Sequence, residues 1–209
     1  MNANSTTRLL LVRHAEVEAR YQHVFGGTVD MDISPRGHEQ AAVLAKFLGT
    51  RSFDALYASP MKRVQQTLAP MLKNGTPPPV VLPNLREVDF GDWTGHGWEA
   101  VREKFGVSAF SWLQQLERGT IPNAENVDTY RVRVAECLNE ISGTPSGKTI
   151  AVFCHGGVIR MLLSILLDLP FSRMSMFEID YASVSEIELK PHRVEIQLLN
   201  FTPWRDLKP

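Results

Sequence analysis

The 209-residue sequence has few cysteines, almost no net charge and no long apolar run, and each shortage excludes a class of protein. Its two cysteines, Cys137 and Cys154, are too few for a disulfide framework and lack metal-ligand spacing. The formal net charge of −1 gives no electrostatic reason to bind nucleic acid or a membrane surface. The longest apolar stretch, residues 161–169, contains Ser164 and Asp168 and is too short to span a bilayer.

The amino-terminal residues 1–7 are polar and lack the apolar segment of a secretion signal. This predicts a cytoplasmic protein. The sequence shows no internal repeat and no linker, so we expect one domain over residues 1–209. Hydrophobic residues make up 44% of the chain, which is enough for a full core at this length.

Short apolar runs alternate with helical periodicity along most of the sequence. Two helices are predicted to begin at Ser34-Pro35 and Ser59-Pro60, with serine as the cap and proline in the first turn, and two more cover 127–141 and 158–166. This order predicts a three-layer α/β fold, in which a mostly parallel central sheet with an antiparallel edge carries helices on both faces. Strands are predicted at 8–12, 53–58, 80–82, 149–154, 183–189 and 194–199.

The segment 91–126 has poorer periodicity than its surroundings and is rich in aromatic residues and glycine. We expect it to form short helices and loops inserted over the sheet, where it would cover a site like a lid. Its large aromatic residues are Trp93, Trp98, Phe105, Phe110 and Trp112.

Three predicted strand ends carry polar groups that suit a phosphate. Arg13 and His14 follow the first strand, and Arg63 lies in the first turn of the helix after the second. His155 precedes a glycine pair, 156–157, at the start of another helix. Arginine forks match phosphate oxygens, and glycines at a helix N-terminus let an anion approach the backbone N–H groups. If the strands are neighbours, these groups converge on one pocket at the carboxyl edge of the sheet.

Five segments, in order, resemble motifs of the histidine phosphatase superfamily, also called phosphoglycerate mutase-like. Residues 11–16 (Leu-Val-Arg-His-Ala-Glu) resemble its Arg-His-Gly-Glu signature, with alanine in place of glycine. Residues 85–95 (Leu-Arg-Glu-Val-Asp-Phe-Gly-Asp-Trp-Thr-Gly) are similar to its acid loop. The remaining matching segments are 32–41, 57–67 and 155–160.

The resemblance implies a phosphomonoesterase that works through a phosphohistidine intermediate. His14 would be the nucleophile, because a neutral imidazole with an ordinary pKa of about 6.5 can attack phosphorus near neutral pH. Arg13, Arg63 and His155 would stabilise the charge on the phosphoryl oxygens. Glu87 would protonate the leaving alcohol and then activate the attacking water. The mechanism implies no metal and no cofactor. The implied partner is a small phosphorylated metabolite, and formation of a homodimer stays open.

Five further residues are candidates for contacts with phosphate or substrate: Arg20, Gly26, Gly156, Gly157 and Glu125. Arg20 lies six residues after His14, where members of the family often have asparagine, so that a charged contact would replace a neutral one. Glu125 would either line the substrate rim or act as an acid at a helix N-terminus.

Other functions stay open on the sequence alone. The acid loop resembles the hydrolase branch, which favours a phosphatase over phosphoglycerate mutase-type transfer. Cys154 and Arg160 match the Cys-x5-Arg signature of cysteine phosphatases, in which a thiolate attacks phosphorus. The same fold could also serve as a non-enzymatic phosphate-ligand sensor.

Overall fold

The computed structural model describes residues 6–72, 76–143 and 147–207, and a six-stranded sheet forms the centre of this described part. The strands are β1 Thr7–Arg13, β2 Ala55–Ala58, β3 Pro79–Val81, β4 Thr149–Cys154, β5 Val184–Lys190 and β6 Arg193–Phe201. Their order in the sheet is β3-β2-β4-β1-β5-β6. The first four strands pair in parallel, and β5 and β6 add the expected antiparallel edge.

Helices cover both faces of the sheet. Because successive residues of a strand point to opposite sides, each strand contributes apolar side chains to both faces. Leu9 and Leu11 of β1 share one apolar cluster, and Leu10 and Val12 belong to the other. The α-helices are α1 Pro35–Leu48, α2 Lys62–Leu68, α3 Trp98–Phe105, α4 Trp112–Glu117, α5 Val127–Ser142, α6 Gly156–Leu166 and α7 Pro203–Asp206. The 3-10 turns are Ala19–Tyr21, Ala69–Met71, Pro83–Leu85, Gly91–Trp93, Ala109–Ser111 and Phe171–Met176.

α5 and α6 pack against the first cluster, and α1 and α2 against the second. The predicted α/β architecture is therefore confirmed. Across the residues that the structure describes, no helix combines the length and the apolar character needed to cross a membrane.

The start of α1 follows the sequence prediction closely. Ser34 caps the helix, and its Oγ accepts a hydrogen bond from the backbone N–H of Gly37 at 2.9 Å. Pro35 occupies the first turn, and Gly49 ends the helix. The cap fixes where the helix begins, so that its apolar face meets the sheet.

The second serine–proline pair does not cap a helix, and this prediction was wrong. α2 begins at Lys62, after Met61. The backbone N–H of Ser59 instead donates to Phe153 at 2.9 Å, which continues the pairing of the sheet by one residue. This extension places the hydroxyl of Ser59 at the carboxyl edge, 2.8 Å from Nε2 of His155.

The register of the sheet brings the two predicted site histidines together. Arg13 at the end of β1 opposes Cys154 at the end of β4. The residues that follow, His14 and His155, therefore leave the sheet side by side, and their ring centroids lie 5.3 Å apart. The carboxyl edge of the parallel strands is thus where the candidate groups meet, as in other open α/β sheets.

The segment 91–126 forms α3, α4 and two 3-10 turns, as its poor periodicity predicts. Trp93 is buried in the core, with 1% of its surface exposed. Trp98 and Phe110 lie at the surface and line the cavity described below, and Phe110 is 80% exposed. That this segment acts as a lid, and that the chain is one domain, stay predictions.

Candidate active site

A cavity of about 450 Å³ opens at the carboxyl edge of the sheet. Four of the five predicted catalytic residues and three of the five predicted binding residues line it. They are Arg13, His14, Arg63, Glu87, Gly26, Gly156 and Gly157.

His14 is held in one orientation by the backbone of the next residue. Its Nδ1 lies 2.8 Å from the carbonyl oxygen of Ala15, so we assign the proton to Nδ1 as the donor. The backbone N–H of Ala15 in turn donates to the hydroxyl of Thr67 at 2.8 Å. With Nδ1 protonated, Nε2 carries the free lone pair of the imidazole.

The surroundings of His14 favour its neutral form. Burial lowers the pKa of His14 well below its usual range, and the charges of Arg63 and Arg13 lower it further. The hydrogen bond to Ala15 opposes this shift but does not reverse it. His14 is therefore an unprotonated nitrogen base at neutral pH.

Arg63 is almost completely buried and is fixed from three sides. Its Nε donates to Nδ1 of His155 at 3.2 Å, and its Nη1 and Nη2 donate to the carbonyls of Val29 and Gly27 at 2.8 Å and 3.4 Å. Burial lowers its pKa to about 10, so it stays charged at neutral pH. Since a guanidinium has five N–H donors, two remain for an anion in the cavity.

Arg13 is held by the segment that precedes β5. Its Nη1 donates to the carbonyl of Ile179 at 2.6 Å, and the ring of Tyr181 lies 4.1 Å from its Cζ. Its Nε is buried without a hydrogen-bond partner. A buried donor of this kind gains most from an anion that enters the cavity.

His155 is the one predicted catalytic residue that does not line the cavity. It is completely buried behind His14, and both of its ring nitrogens are occupied by Ser59 and Arg63. Because Nδ1 accepts from Arg63, we assign the proton to Nε2, which donates to Ser59. In this arrangement His155 positions Arg63.

The carboxylate of Glu87 lies at the start of α6 and lines the same cavity as the arginines. Its carboxylate accepts hydrogen bonds from the backbone N–H groups of Gly157 at 3.2 Å and Val88 at 3.0 Å. A Cβ on residue 157 would lie 2.4 Å from Oε1 of this carboxylate, so any other residue here would displace Glu87. Gly157 thus lets an acid approach the N-terminus of the helix.

Glu125 does not line the substrate rim, and its side chain is 5% exposed. It forms an ion pair with Arg133, with Nε to Oε1 at 2.6 Å and Nη2 to Oε2 at 2.7 Å. Arg133 also donates to the backbone carbonyls of Asn84, Arg86 and Glu87. The pair therefore fixes the loop that carries Glu87.

Arg20 is not brought into the cavity. It is exposed and forms an ion pair with Glu18 at 2.8 Å, and it lies over the ring of Tyr21. Tyr21 itself does line the cavity. The prediction that Arg20 contacts the phosphate is not supported by this conformation.

Within residues 6–72, 76–143 and 147–207, no group of three or more His, Cys, Asp or Glu side chains is placed to hold a metal ion. The charged side chains that face the cavity among these residues are Arg13, Arg63, Glu87 and Arg160. They suit a small anion with at least two negative charges.

The family model of the histidine phosphatase superfamily (branch 1) matches residues 9–202. The chain belongs to the histidine phosphatase superfamily. This assignment agrees with the motif resemblance and with the fold.

Relatives within the histidine phosphatase superfamily match the chain along nearly its whole length. Phosphoserine phosphatase 1 of Hydrogenobacter thermophilus is 30% identical over 93% of this chain and 92% of that protein. Adenosylcobalamin/α-ribazole phosphatase of Escherichia coli is 27% identical over 92% of this chain and 95% of that protein. The crystal structure of α-ribazole phosphatase from Shigella flexneri has a TM-score of 0.83 at 26% identity and covers 93% of this chain and 96% of that one. The family and these relatives support a hydrolase that acts on phosphoric monoesters.

The cysteine alternative does not fit this histidine phosphatase. Cys154 is completely buried within β4 and does not line the cavity. Burial raises the pKa of its thiol far above the ordinary value, which disfavours the thiolate that a cysteine phosphatase needs.

Proposed function

We propose that this histidine phosphatase hydrolyses small phosphorylated metabolites by transfer of the phosphoryl group to Nε2 of His14. The observation that carries the proposal is the Nδ1 contact of His14 with the Ala15 carbonyl in a cavity lined by Arg13 and Arg63. It supports a neutral imidazole whose lone pair is directed away from the backbone. A covalent intermediate divides one difficult displacement into two easier steps.

In the first step, Nε2 of His14 attacks phosphorus and the bond from phosphorus to the ester oxygen breaks. Arg13 and Arg63 bind the three non-bridging oxygens, whose charge they stabilise in the transition state. Glu87, in its protonated form, donates a proton to the departing alcohol. His155 acts from behind by holding the Nε of Arg63.

In the second step, a water molecule attacks the phosphohistidine. Glu87 accepts a proton from the water, and the bond from phosphorus to Nε2 breaks. Inorganic phosphate leaves, His14 is again neutral and Glu87 again carries its proton. The residues therefore complete a cycle that consumes only ester and water.

The purified protein should hydrolyse p-nitrophenyl phosphate without added metal, and a chelator should not change the rate. Because burial and the two arginines lower the pKa of His14 in the free enzyme, its nucleophilic form persists as the pH falls below about 6.5, so kcat/KM should keep most of its value at mildly acidic pH. A panel that includes phosphoserine, α-ribazole 5′-phosphate and 3-phosphoglycerate would then find the preferred ester. Complete loss of activity with the chelator would contradict the mechanism.

Substitution Glu87→Gln should reduce kcat for alkyl phosphates by roughly 10²- to 10⁴-fold, the usual contribution of a general acid. The nitrophenolate leaving group needs little protonation, so p-nitrophenyl phosphate should still form the phosphohistidine and give a burst of one equivalent of product before slow turnover. Rapid-mixing measurements of released nitrophenol test this. The exposed Glu99, outside the cavity, gives the control Glu99→Gln. Undiminished turnover of an alkyl phosphate by Glu87→Gln would remove Glu87 from this role.

A further inference from the structure

A third guanidinium faces the catalytic cavity, and the mechanism above does not use it. Arg160 lies one turn into α6 and lines the cavity together with Arg13, Arg63 and His14. We propose that Arg160 binds a carboxylate on the leaving alcohol, so that the enzyme prefers phosphate esters of hydroxy acids or hydroxy amino acids. The proposal rests on the proposed function and adds the chemical class of the substrate.

The guanidinium of Arg160 is anchored at one nitrogen and open at the other two. Its Nε donates to the carbonyl of Phe177 at 2.7 Å. In the described residues, neither Nη1 nor Nη2 has a hydrogen-bond acceptor or a carboxylate in salt-bridge range. Because Nε fixes the plane of the group, the two Nη atoms present a rigid fork. A fork of this geometry matches the two oxygens of a carboxylate.

Arg160 and Arg13 approach the same point of the backbone. A Cβ on Gly156 would lie 3.2 Å from Nη1 of Arg160 and 3.4 Å from Nε of Arg13. Burial lowers the pKa of Arg160, and the charge of Arg13 lowers it further because two cations held this close repel each other. Glycine at 156 leaves room for both groups, and an anion bound at each would relieve the repulsion.

While Glu87 acts as the acid, the charges that line the cavity can accommodate a second anion on the substrate. Of the described residues that line the cavity, three are cations, Arg13, Arg63 and Arg160, and one is an acid, Glu87. When Glu87 is protonated for its role as the acid, a phosphate dianion compensates only two of the three cations. A carboxylate on the leaving alcohol compensates the third.

The proximity of the two arginines sets the length of that substrate. Arg13 binds the phosphate in the proposed mechanism, and the guanidinium of Arg160 lies beside the same residue, Gly156. Only a few bonds therefore separate the two anion positions. Esters in which the carboxylate is two carbons from the ester oxygen meet this requirement. The cavity also contains the hydroxyl-bearing residues Ser175 and Tyr181, which suit the polar substituents of such a compound.

The test compares two pairs of phosphate esters that differ in one carboxylate. O-phosphoserine is paired with O-phosphoethanolamine, and 3-phosphoglycerate with glycerol 3-phosphate. Binding is measured by calorimetry in a His14→Ala background, which removes the proposed nucleophile and does not require turnover. Arg160→Met should weaken binding of the two carboxylates by roughly 30- to 100-fold and of the other two esters by less than about threefold. Arg160→Lys, which keeps a point charge, should recover part of the loss.

Arg173→Met is the matched control, because Arg173 is exposed in the neighbouring Phe171–Met176 turn and does not line the cavity. It should leave the binding ratios unchanged. Equal weakening of all four esters by Arg160→Met, in a protein with an unchanged melting temperature, would show that Arg160 serves the phosphate and would overturn the proposal. Equal binding of each pair by the parent protein would also overturn it. Failure of the proposed function appears separately, as absence of p-nitrophenyl phosphate hydrolysis in the protein with His14.

Discussion

Replacement of His14 by alanine lowers the kcat for p-nitrophenyl phosphate by roughly four to six orders of magnitude, whereas Cys154→Ser changes it by less than about threefold. His14 supplies the atom that forms the covalent bond, and no other nitrogen base faces the same point of the cavity in the described residues. Cys154 is buried in β4, so its thiol has no route to phosphorus. The two variants therefore separate the histidine mechanism from the cysteine mechanism directly.

The intermediate gives a second readout for the same pair of variants. Acid-labile, base-stable phosphate should appear on the parent protein and on Cys154→Ser after rapid quenching, and mass spectrometry should locate it at residue 14. The exposed His38 offers a matched histidine control, since it lies on α1 outside the cavity. His38→Ala should keep full activity. A His14→Ala protein that still turns over substrate near the parent rate would end the proposal.

Arg133→Met lowers the free energy of unfolding by about 3–5 kcal/mol, because it leaves the buried carboxylate of Glu125 without its main partner. For a chain of this length, each kcal/mol corresponds to a shift in Tm of roughly 2–4 °C, so the loss is large in a thermal melt. The three loop carbonyls that Arg133 holds also lose their donors, and Glu87 moves with that loop. We expect kcat to fall by roughly 10- to 100-fold in the protein that remains folded.

Arg86 provides the matched control for Arg133, since it contacts the same Glu125 at 3.2 Å but is 38% exposed. Arg86→Met should change the free energy of unfolding by less than about 1 kcal/mol, because Arg86 is partly solvated and the buried Glu125 keeps its ion pair with Arg133. If both variants lost the same free energy of unfolding, burial of the Arg133–Glu125 pair would not explain its contribution to stability.

The stability that comes from the Glu125 pair should also depend on pH. Burial raises the pKa of Glu125, but the hydrogen bonds and charge of Arg133, together with the charge of Arg86 and the backbone N–H of Asp89, outweigh burial and leave the pKa below its usual value. A carboxyl whose pKa is lowered on folding stabilises the protein above its unfolded pKa of about 4.3, and this contribution is lost as the pH falls further. The difference in the free energy of unfolding between the parent and Arg133→Met should therefore have its full value at neutral pH and shrink as the pH falls below about 4.3.

The parts of the site that depend on strand ends could be predicted from the sequence. Arg13, His14 and the glycine pair follow apolar runs, and parallel pairing brings such ends to one edge whatever the rest of the chain does. The start of α1 could also be predicted, because the capping Ser34 lies only three residues from Gly37, from whose N–H it accepts a hydrogen bond. Local chemistry determines these features.

The contacts that the sequence did not reveal join residues far apart along the chain. The local sequence predicts Ser59 as a helix cap, but its hydrogen-bond partner is His155, 96 positions away. Arg133 has the appearance of a charged residue beside an apolar stripe, and only the folded loop of residues 84–87 shows why it is buried. Similarly, Trp93 and Phe110 belong to one aromatic segment, but one is core and the other faces the cavity.

The position of β1 between β4 and β5 has a consequence for synthesis of the chain on the ribosome. Both neighbours of this first strand begin at or after residue 149, so Thr7–Arg13 has no pairing partner until most of the protein has emerged. At ordinary rates of translation, on the order of ten seconds pass between synthesis of this apolar strand and synthesis of its first partner. The nascent chain is thus open to aggregation or chaperone binding at the strand that precedes His14, and the pocket assembles only after the last third of the sequence arrives.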